Sequence, residues 1–66
     1  MNARVNGVVR DLPDGATVAH VLELLNAPPS GVAVALDGEV VPRAAWSSTL
    51  VPSGGVVEVL TAVQGG

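Results

Sequence analysis

No cysteine occurs among the 66 residues of this chain, so a disulfide cannot stabilise its fold. A domain of about 60 residues buries only about 60% of its unfolded surface, and domains this small often rely on disulfides or a metal. A metal site is not expected either, because His20 is the single histidine and the six carboxylates are scattered. The sequence therefore predicts one domain stabilised by apolar packing, for which 48% hydrophobic residues provide the material.

The apolar residues are of a kind that favours a β-sheet. Trp46 is the single aromatic residue, so the core must be built mainly from Val, Leu and Ala. Valine is branched at Cβ, which restricts its χ1 angle and suits it to strands. We expect Trp46 to be a packing anchor at the edge of the core rather than a platform for a ligand.

The charge pattern excludes two classes of partner. The formal net charge is −3 at pH 7, and the three basic residues, Arg4, Arg10 and Arg43, are far apart in the sequence. Nucleic-acid binding needs a basic stripe, so it is not expected. The longest apolar run, Val32 to Leu36, is too short to cross a bilayer, and the N-terminus does not resemble a signal peptide. A cytoplasmic protein without membrane contact is predicted.

The first half of the chain predicts a hairpin and a helix. Asn6-Gly7 separates two β-prone runs, 1–5 and 8–12, and Asn-Gly is the strongest short signal for a hairpin turn. After the loop at 11–15, Thr17 is a candidate N-cap residue. The apolar residues that follow have the i, i+3, i+4, i+7 spacing of one helix face: Val18, Val21, Leu22 and Leu25. Asn26 and Pro28-Pro29 are expected to end this helix.

The second half predicts three more strands. Residues 31–36 and 39–41 flank Asp37-Gly38, and residues 56–63 form the last strand, with an irregular segment or short helical turn around Trp46 between them. The predicted order is β-β-α-β-β followed by a final strand. This order predicts an α+β domain: a mixed sheet of four to five strands with one main helix on one face. If the last strand lies beside the first, the fold is a ubiquitin-like β-grasp. The predicted domain covers residues 1–63, and residues 64–66 form a flexible tail.

The last strand carries apolar residues on both of its faces. Val57, Val59 and Thr61 alternate with Glu58, Leu60 and Ala62, and Val63 follows. The face of such a sheet that is turned away from the helix is expected to be solvated and polar. We therefore interpret Leu60, Ala62 and Val63 as a docking surface for a partner.

The sequence ends in Gln64-Gly65-Gly66, and this tail is the candidate functional site. Glycine has no Cβ, so an extended Gly-Gly segment passes through a narrow channel. A terminal carboxylate at Gly66 is an unhindered anion at neutral pH, and it can attack the α-phosphate of ATP on a partner enzyme. His20 has no suitably placed catalytic partner in the sequence and is interpreted as a surface histidine, so the chain is not expected to be an enzyme.

One segment resembles a known family. Val41-Pro42-Arg43-Ala44-Ala45-Trp46, followed by a final strand and Gly65-Gly66, resembles the ThiS family of sulfur carriers in thiazole biosynthesis, over essentially the whole chain. The family's asparagine-like turn position is Asp37 here. The resemblance implies that an E1-like, ThiF-like adenylyltransferase activates the Gly66 carboxylate with ATP and Mg²⁺. Sulfur from a cysteine desulfurase relay then gives a thiocarboxylate that a ThiG-like thiazole synthase consumes, and this chain itself binds no cofactor.

Two alternatives remain open at this point. The small subunit of molybdopterin synthase and carriers of other sulfur metabolites share the fold and the tail chemistry. A non-covalent β-grasp interaction module is a different class, in which the glycines do nothing. The chain has neither cysteine nor lysine, so the C-terminus is the one chemically sensible place to carry sulfur, and the chain has no side-chain acceptor for ubiquitin-like polymers.

Overall fold

The computed structural model describes residues 1–62. Within this range it contains β1 (Asn2–Val5), β2 (Val8–Asp11), α1 (Val18–Leu24), β3 (Val32–Leu36), β4 (Glu39–Val41), a single 3₁₀ turn (Arg43–Ala45) and β5 (Val56–Thr61). This is the predicted order of elements, including the short helical turn before Trp46. The predicted tail, residues 64–66, lies outside the described residues.

The five strands form one mixed sheet in the order β2-β1-β5-β3-β4. The first and last strands lie side by side and run parallel, with Arg4 opposite Val56 and Val5 opposite Val57. The other three strand pairs are antiparallel. The last strand is therefore central, and the α+β prediction of a ubiquitin-like β-grasp with one helix on the sheet is confirmed.

Four predicted strand boundaries were too generous. Met1 precedes β1, which begins at Asn2. Leu12 is not part of β2, although it is buried and its backbone N–H donates to the carbonyl of Met1 at 2.7 Å. Gly31 precedes β3 with a positive φ of 72°, which is not a strand conformation. β5 ends at Thr61 because β3 begins at Val32, the residue that pairs with Thr61. Ala62 therefore lies beyond the strand, and Val63 lies outside the described residues.

The short helix is capped at both ends, as a helix that is marginal alone requires. The hydroxyl oxygen of Thr17 accepts a hydrogen bond from the backbone N–H of His20 at 3.2 Å, which confirms the predicted N-cap. At the other end Asn26 has a φ of 53°. Its backbone N–H donates to the carbonyl of Glu23, and the backbone N–H of Ala27 donates to the carbonyl of Leu22. This bond pattern is a Schellman motif, which satisfies the last carbonyls of the helix.

The core lies between α1 and one face of the sheet. Among the described residues its buried members come from every strand except β2, from the helix and from the loops: Ala3, Val5, Leu12, Ala16, Val18, Val21, Leu22, Val34, Val41, Val51, Val57 and Val59. Trp46 packs against this core and its indole N–H donates to the carbonyl of Val41 at 2.9 Å. The backbone carbonyl of Trp46 accepts from Ala19 in the first turn of the helix. Trp46 is thus the packing anchor that the sequence predicts.

Candidate functional site: the open face and the exit of the last strand

The last strand presents two chemically different faces. Val57 and Val59 are buried under the helix, whereas Glu58 and Leu60 point away from it, and the side chain of Leu60 is 69% exposed. This alternation is the period of two that a strand imposes. The predicted division of the strand into a core face and an accessible face is therefore correct, and Leu60 lies on the accessible one.

We call the sheet surface turned away from the helix the open face. Cross-strand pairing places three rows of neighbours on it: Val9, Arg4 and Val56 in one, Ala33 and Leu60 in the second, and Glu58, Ala35 and Val40 in the third. Val9, Val40 and Leu60 are all more than half exposed. A solvated sheet face normally carries mostly polar side chains. An open face with several exposed apolar residues and few charges has the composition of a docking surface.

The end of β5 lies against the start of β3. The backbone N–H of Ala62 donates to the carbonyl of Gly31 at 2.7 Å, and a shallow depression of about 370 Å³ is lined there by Gly31, Ala33, Leu60 and their neighbours. Gly66 follows four residues after Ala62. The exposed Leu60 and the depression therefore lie where the described chain ends, a few residues before Gly65-Gly66 in the sequence. Of the three predicted docking residues, the structure brings Leu60 and Ala62 together, and Val63 lies outside the described residues.

Gly31 is a residue that the sequence-based prediction missed. Its φ is 72°, and a Cβ atom added to it would lie 3.3 Å from the Cβ of Ala62. Glycine is therefore favoured at this position for two reasons: the backbone is left-handed, and Ala62 at the end of β5 approaches closely. The sequence signal was present in the Pro28-Pro29-Ser30-Gly31 turn, but the contact joins residues that are 31 positions apart.

A comparison of two glycine substitutions tests this contact. Gly54 has φ of 79° and open space where a Cβ would lie, so it is a matched control for Gly31. We expect each change to alanine to lower the free energy of unfolding by about 1–2 kcal/mol through the left-handed backbone. Gly31→Ala should lose about 1 kcal/mol more because of the contact with Ala62. Urea unfolding measures the free energy of unfolding of both variants. Equal losses of stability would show that Ala62 does not pack against Gly31.

The two hairpin turns hold β5 with their side chains, which the sequence did not reveal. Asn6 and Asp37 each precede a glycine and adopt positive φ, of 49° and 50°. The Asn6 amide binds the backbone of Val59, and the Asp37 carboxylate accepts from the backbone N–H of Val56 at 2.9 Å. Short polar side chains commonly bond to nearby backbone groups, but these bonds reach a strand that is distant in sequence.

The two remaining residues that the sequence analysis singled out are His20 on the helix and Arg43 in the 3₁₀ turn. His20, which was interpreted as a surface histidine, is half-buried on α1 and is thus only partly open to solvent. The guanidinium of Arg43 donates to the carbonyl of Pro29 and lies 5.7 Å from the centroid of the Trp46 ring. Pro29, Arg43 and Trp46 border a groove of about 540 Å³ on the helix side of the molecule. Arg43 therefore ties the 3₁₀ turn to the loop after the helix.

Among residues 1–62, no cluster of three or more His, Cys, Asp or Glu side chains has the arrangement of a metal site. None of the helices in this range has the length and the apolar character needed to cross a membrane.

The fold and the site together define a small ubiquitin-like β-grasp protein with exposed apolar residues on its open face and Gly65-Gly66 in the sequence after its central last strand. The model of the ThiS family matches residues 3–66, so the chain belongs to the ThiS family. This match includes both glycines of the candidate site. The predicted resemblance of the chain to this family is confirmed.

Solved structures agree with the family assignment. The crystal structure of the thiamine biosynthesis protein ThiS from Geobacter metallireducens is 35% identical, with a TM-score of 0.82 and complete coverage of both chains. The solution NMR structure of a thiamine biosynthesis protein from the same organism is 36% identical, with a TM-score of 0.82. The match to this NMR structure covers all of the present chain and 88% of the Geobacter chain. No curated protein sequence gives a significant match.

Proposed function

We propose that this protein is a sulfur carrier of thiamine biosynthesis and that the carboxylate of Gly66 carries the sulfur. The observation that supports this most directly is the match to the ThiS family, which extends from residue 3 through Gly66. The absence of cysteine supports it independently, because no side chain of this protein can hold sulfur as a persulfide. In this proposal the chain is a recycled co-substrate and not a catalyst.

The proposed chemistry takes place on partner enzymes in the cytoplasm. A carboxylate oxygen of Gly66 attacks the α-phosphorus of ATP on a ThiF-like adenylyltransferase, and pyrophosphate leaves. A persulfide sulfur supplied through a cysteine desulfurase relay then attacks the acyl carbon and displaces AMP, and a thiol reductant cleaves the S–S bond of the resulting acyl disulfide to release the thiocarboxylate. A ThiG-like thiazole synthase takes the sulfur and regenerates the carboxylate. ATP and Mg²⁺ are held by the adenylating partner, so the carrier contributes the acyl group and the surface that is recognised.

The length of the tail limits where the partner enzyme binds. Gly66 is four positions after Ala62, and an extended chain advances at most about 3.6 Å per residue, or about 14 Å in total. An enzyme that encloses Gly66 must therefore approach the exit of β5 closely. The open face beside that exit carries Leu60 and the depression next to Ala33. We propose this part of the open face as the docking surface, with Gln64 and Gly65 spanning the channel to the active site.

Replacement of Leu60 by glutamate tests the docking surface. Leu60 is exposed, so we expect little change in folding. Burial of a charged residue against an apolar partner surface should raise the Kd for the adenylating enzyme by about tenfold to 100-fold. Val8→Glu is the control, because Val8 is 55% exposed on β2 but points to the helix side of the sheet. Calorimetric titration measures both, and unchanged binding by the Leu60 variant would contradict the proposed surface.

The proposed function itself is tested by mass spectrometry of the intact protein. Incubation with an E1-like enzyme, ATP and a sulfur source should add the mass difference between sulfur and oxygen, located in the C-terminal peptide. Support of thiazole formation by that species with thiazole synthase distinguishes thiamine biosynthesis from molybdopterin synthesis. If the mass stays constant while the same enzyme activates another carrier, the proposal is wrong and the interaction module takes its place.

A further inference from the structure

The central strand β5 extends further than its parallel neighbour β1. The last paired residue of β1 is Val5, and the backbone N–H of Asn6 still donates to the carbonyl of Val57 at 2.9 Å. Backbone groups of a strand alternate between its two sides. The next residue of β5 whose N–H and C=O face the β1 side is therefore Val59, at a point where β1 has already turned away into the hairpin.

The side chain of Asn6 occupies this position in place of a strand. Its Oδ1 accepts a hydrogen bond from the N–H of Val59 at 2.8 Å, and its Nδ2 donates to the C=O of Val59 at 3.2 Å. A carboxamide has the same donor and acceptor as a peptide group, so asparagine continues the ladder by one residue. Asparagine also tolerates the positive φ of the hairpin turn. Aspartate lacks the donor, and glycine lacks both groups.

Beyond Val59 the contacts of β5 in the described chain come from the β3 side. Leu60 pairs with Ala33, Thr61 pairs with Val32, and Ala62 donates to Gly31. In the described chain, Val59 is therefore the last residue of β5 whose backbone is hydrogen-bonded on the β1 side, and the side chain of Asn6 makes those bonds. That residue, Val59, lies seven positions before Gly66. A strand bonded on one side opens more readily than a strand bonded on both sides.

We propose that Asn6 is a positioning residue for the activation of Gly66. By holding Val59 on the side that β1 has left, it keeps the end of β5 on the sheet and fixes the direction in which the chain departs. The adenylating enzyme then meets a tail with a fixed origin instead of one that moves with a frayed strand, which lowers the ordering cost of binding. This inference rests on the proposed carrier function.

The second hairpin turn offers a matched control. Asp37 has nearly the same φ, also precedes a glycine, and also bonds to β5 with its side chain. It holds Val56, the first residue of β5, at the end far from the exit. Changing either residue to glycine preserves the turn, because glycine readily adopts positive φ. The two variants therefore weaken the same strand at opposite ends.

The experiment compares Asn6→Gly and Asp37→Gly in steady-state activation by the ThiF-like enzyme and in amide hydrogen exchange. We expect Asn6→Gly to raise KM for the carrier by about fivefold to tenfold, with kcat within about twofold, because the loss falls on binding and not on chemistry. Exchange at Val59, whose N–H loses its acceptor, and at Leu60 and Ala62 beyond it should become about tenfold faster. Asp37→Gly should leave KM within about twofold and accelerate exchange near Val56 instead. If Asn6→Gly does not fold, Asn6→Asp, which keeps the acceptor for the Val59 N–H but loses the donor to its C=O, should raise KM about twofold to fivefold over the wild type, and an unchanged KM would overturn the inference.

Each outcome is decisive. Equal increases in KM for the two glycine variants would mean that general stability and not the exit is responsible, and would overturn the inference. An unchanged KM for Asn6→Gly despite faster exchange would overturn it as well. If the wild-type protein is not activated, the proposed function is wrong and the positioning role falls with it, whereas the exchange data still report whether the amide holds β5.

Discussion

Deletion of Gly66 is expected to lower the rate of thiocarboxylate formation by at least about 100-fold while the domain stays folded. The deletion moves the terminal carboxylate back by one residue, about 3.5 Å along an extended chain. A misplacement of even 1 Å at a reacting group can cost about 100-fold in rate. The core residues of the described chain lie between Ala3 and Val59, so unfolding is not expected. Rapid-quench assays of acyl-adenylate formation, together with thermal unfolding, measure the two effects separately.

Gln64→Ala is the control for this deletion. It changes a side chain of the tail but preserves the number of residues between Ala62 and the carboxylate. We expect its rate to stay within a few-fold of the wild-type rate, because the position of Gly66 is retained. Normal activation of the deletion variant would show that the reacting carboxylate is not the one at Gly66.

The largest effect on stability is expected from Leu12→Ala. Leu12 is only 2% exposed, although it lies in the loop after β2, and it is one of the largest side chains that the core contains. Replacing a buried leucine by alanine costs about 2–5 kcal/mol. A domain of this size has only about 3–5 kcal/mol of stability from its core. We therefore expect most of the variant to be unfolded at 25 °C, with loss of the cooperative thermal transition in circular dichroism.

The same substitution at Leu60 separates burial from residue type. Leu60 is 69% exposed on the open face, and Leu60→Ala should change the free energy of unfolding by no more than about 0.5 kcal/mol. A cooperative transition at the wild-type temperature in Leu12→Ala would contradict the placement of Leu12 in the core. A large loss in Leu60→Ala would mean that Leu60 is covered in the free protein.

Local patterns predicted the secondary structure because each signal lies within a few residues. Asn6-Gly7 indicated the first hairpin, and both residues adopt the positive φ that its turn requires. Thr17 and Asn26 indicated the ends of the helix, and both cap it. The strand ends were predicted less well, because a strand ends where its neighbour ends. Thr61 is the last residue of β5 because its partner Val32 is the first of β3.

The candidate site was predicted in part for the same reason. The alternation along the last strand was sufficient to place Leu60 on the accessible face, because the side chains of a strand alternate whatever the tertiary structure is. The roles of Gly31 and Asn6 were not predictable in this way. Gly31 touches Ala62, and Asn6 binds Val59, which is 53 positions away in the sequence.

The sequence alone determined the composition of the core, the order of the elements and the chemistry available at the tail. The lack of cysteine and lysine leaves few groups able to carry sulfur or accept an acyl group. Only the tertiary structure decided how the tail is supported, because that support consists of contacts between distant segments. The parallel pairing of β1 with β5 brings the first hairpin turn beside the last strand. The side chain of Asn6 thereby reaches Val59, a contact that depends on packing in space and not on local sequence.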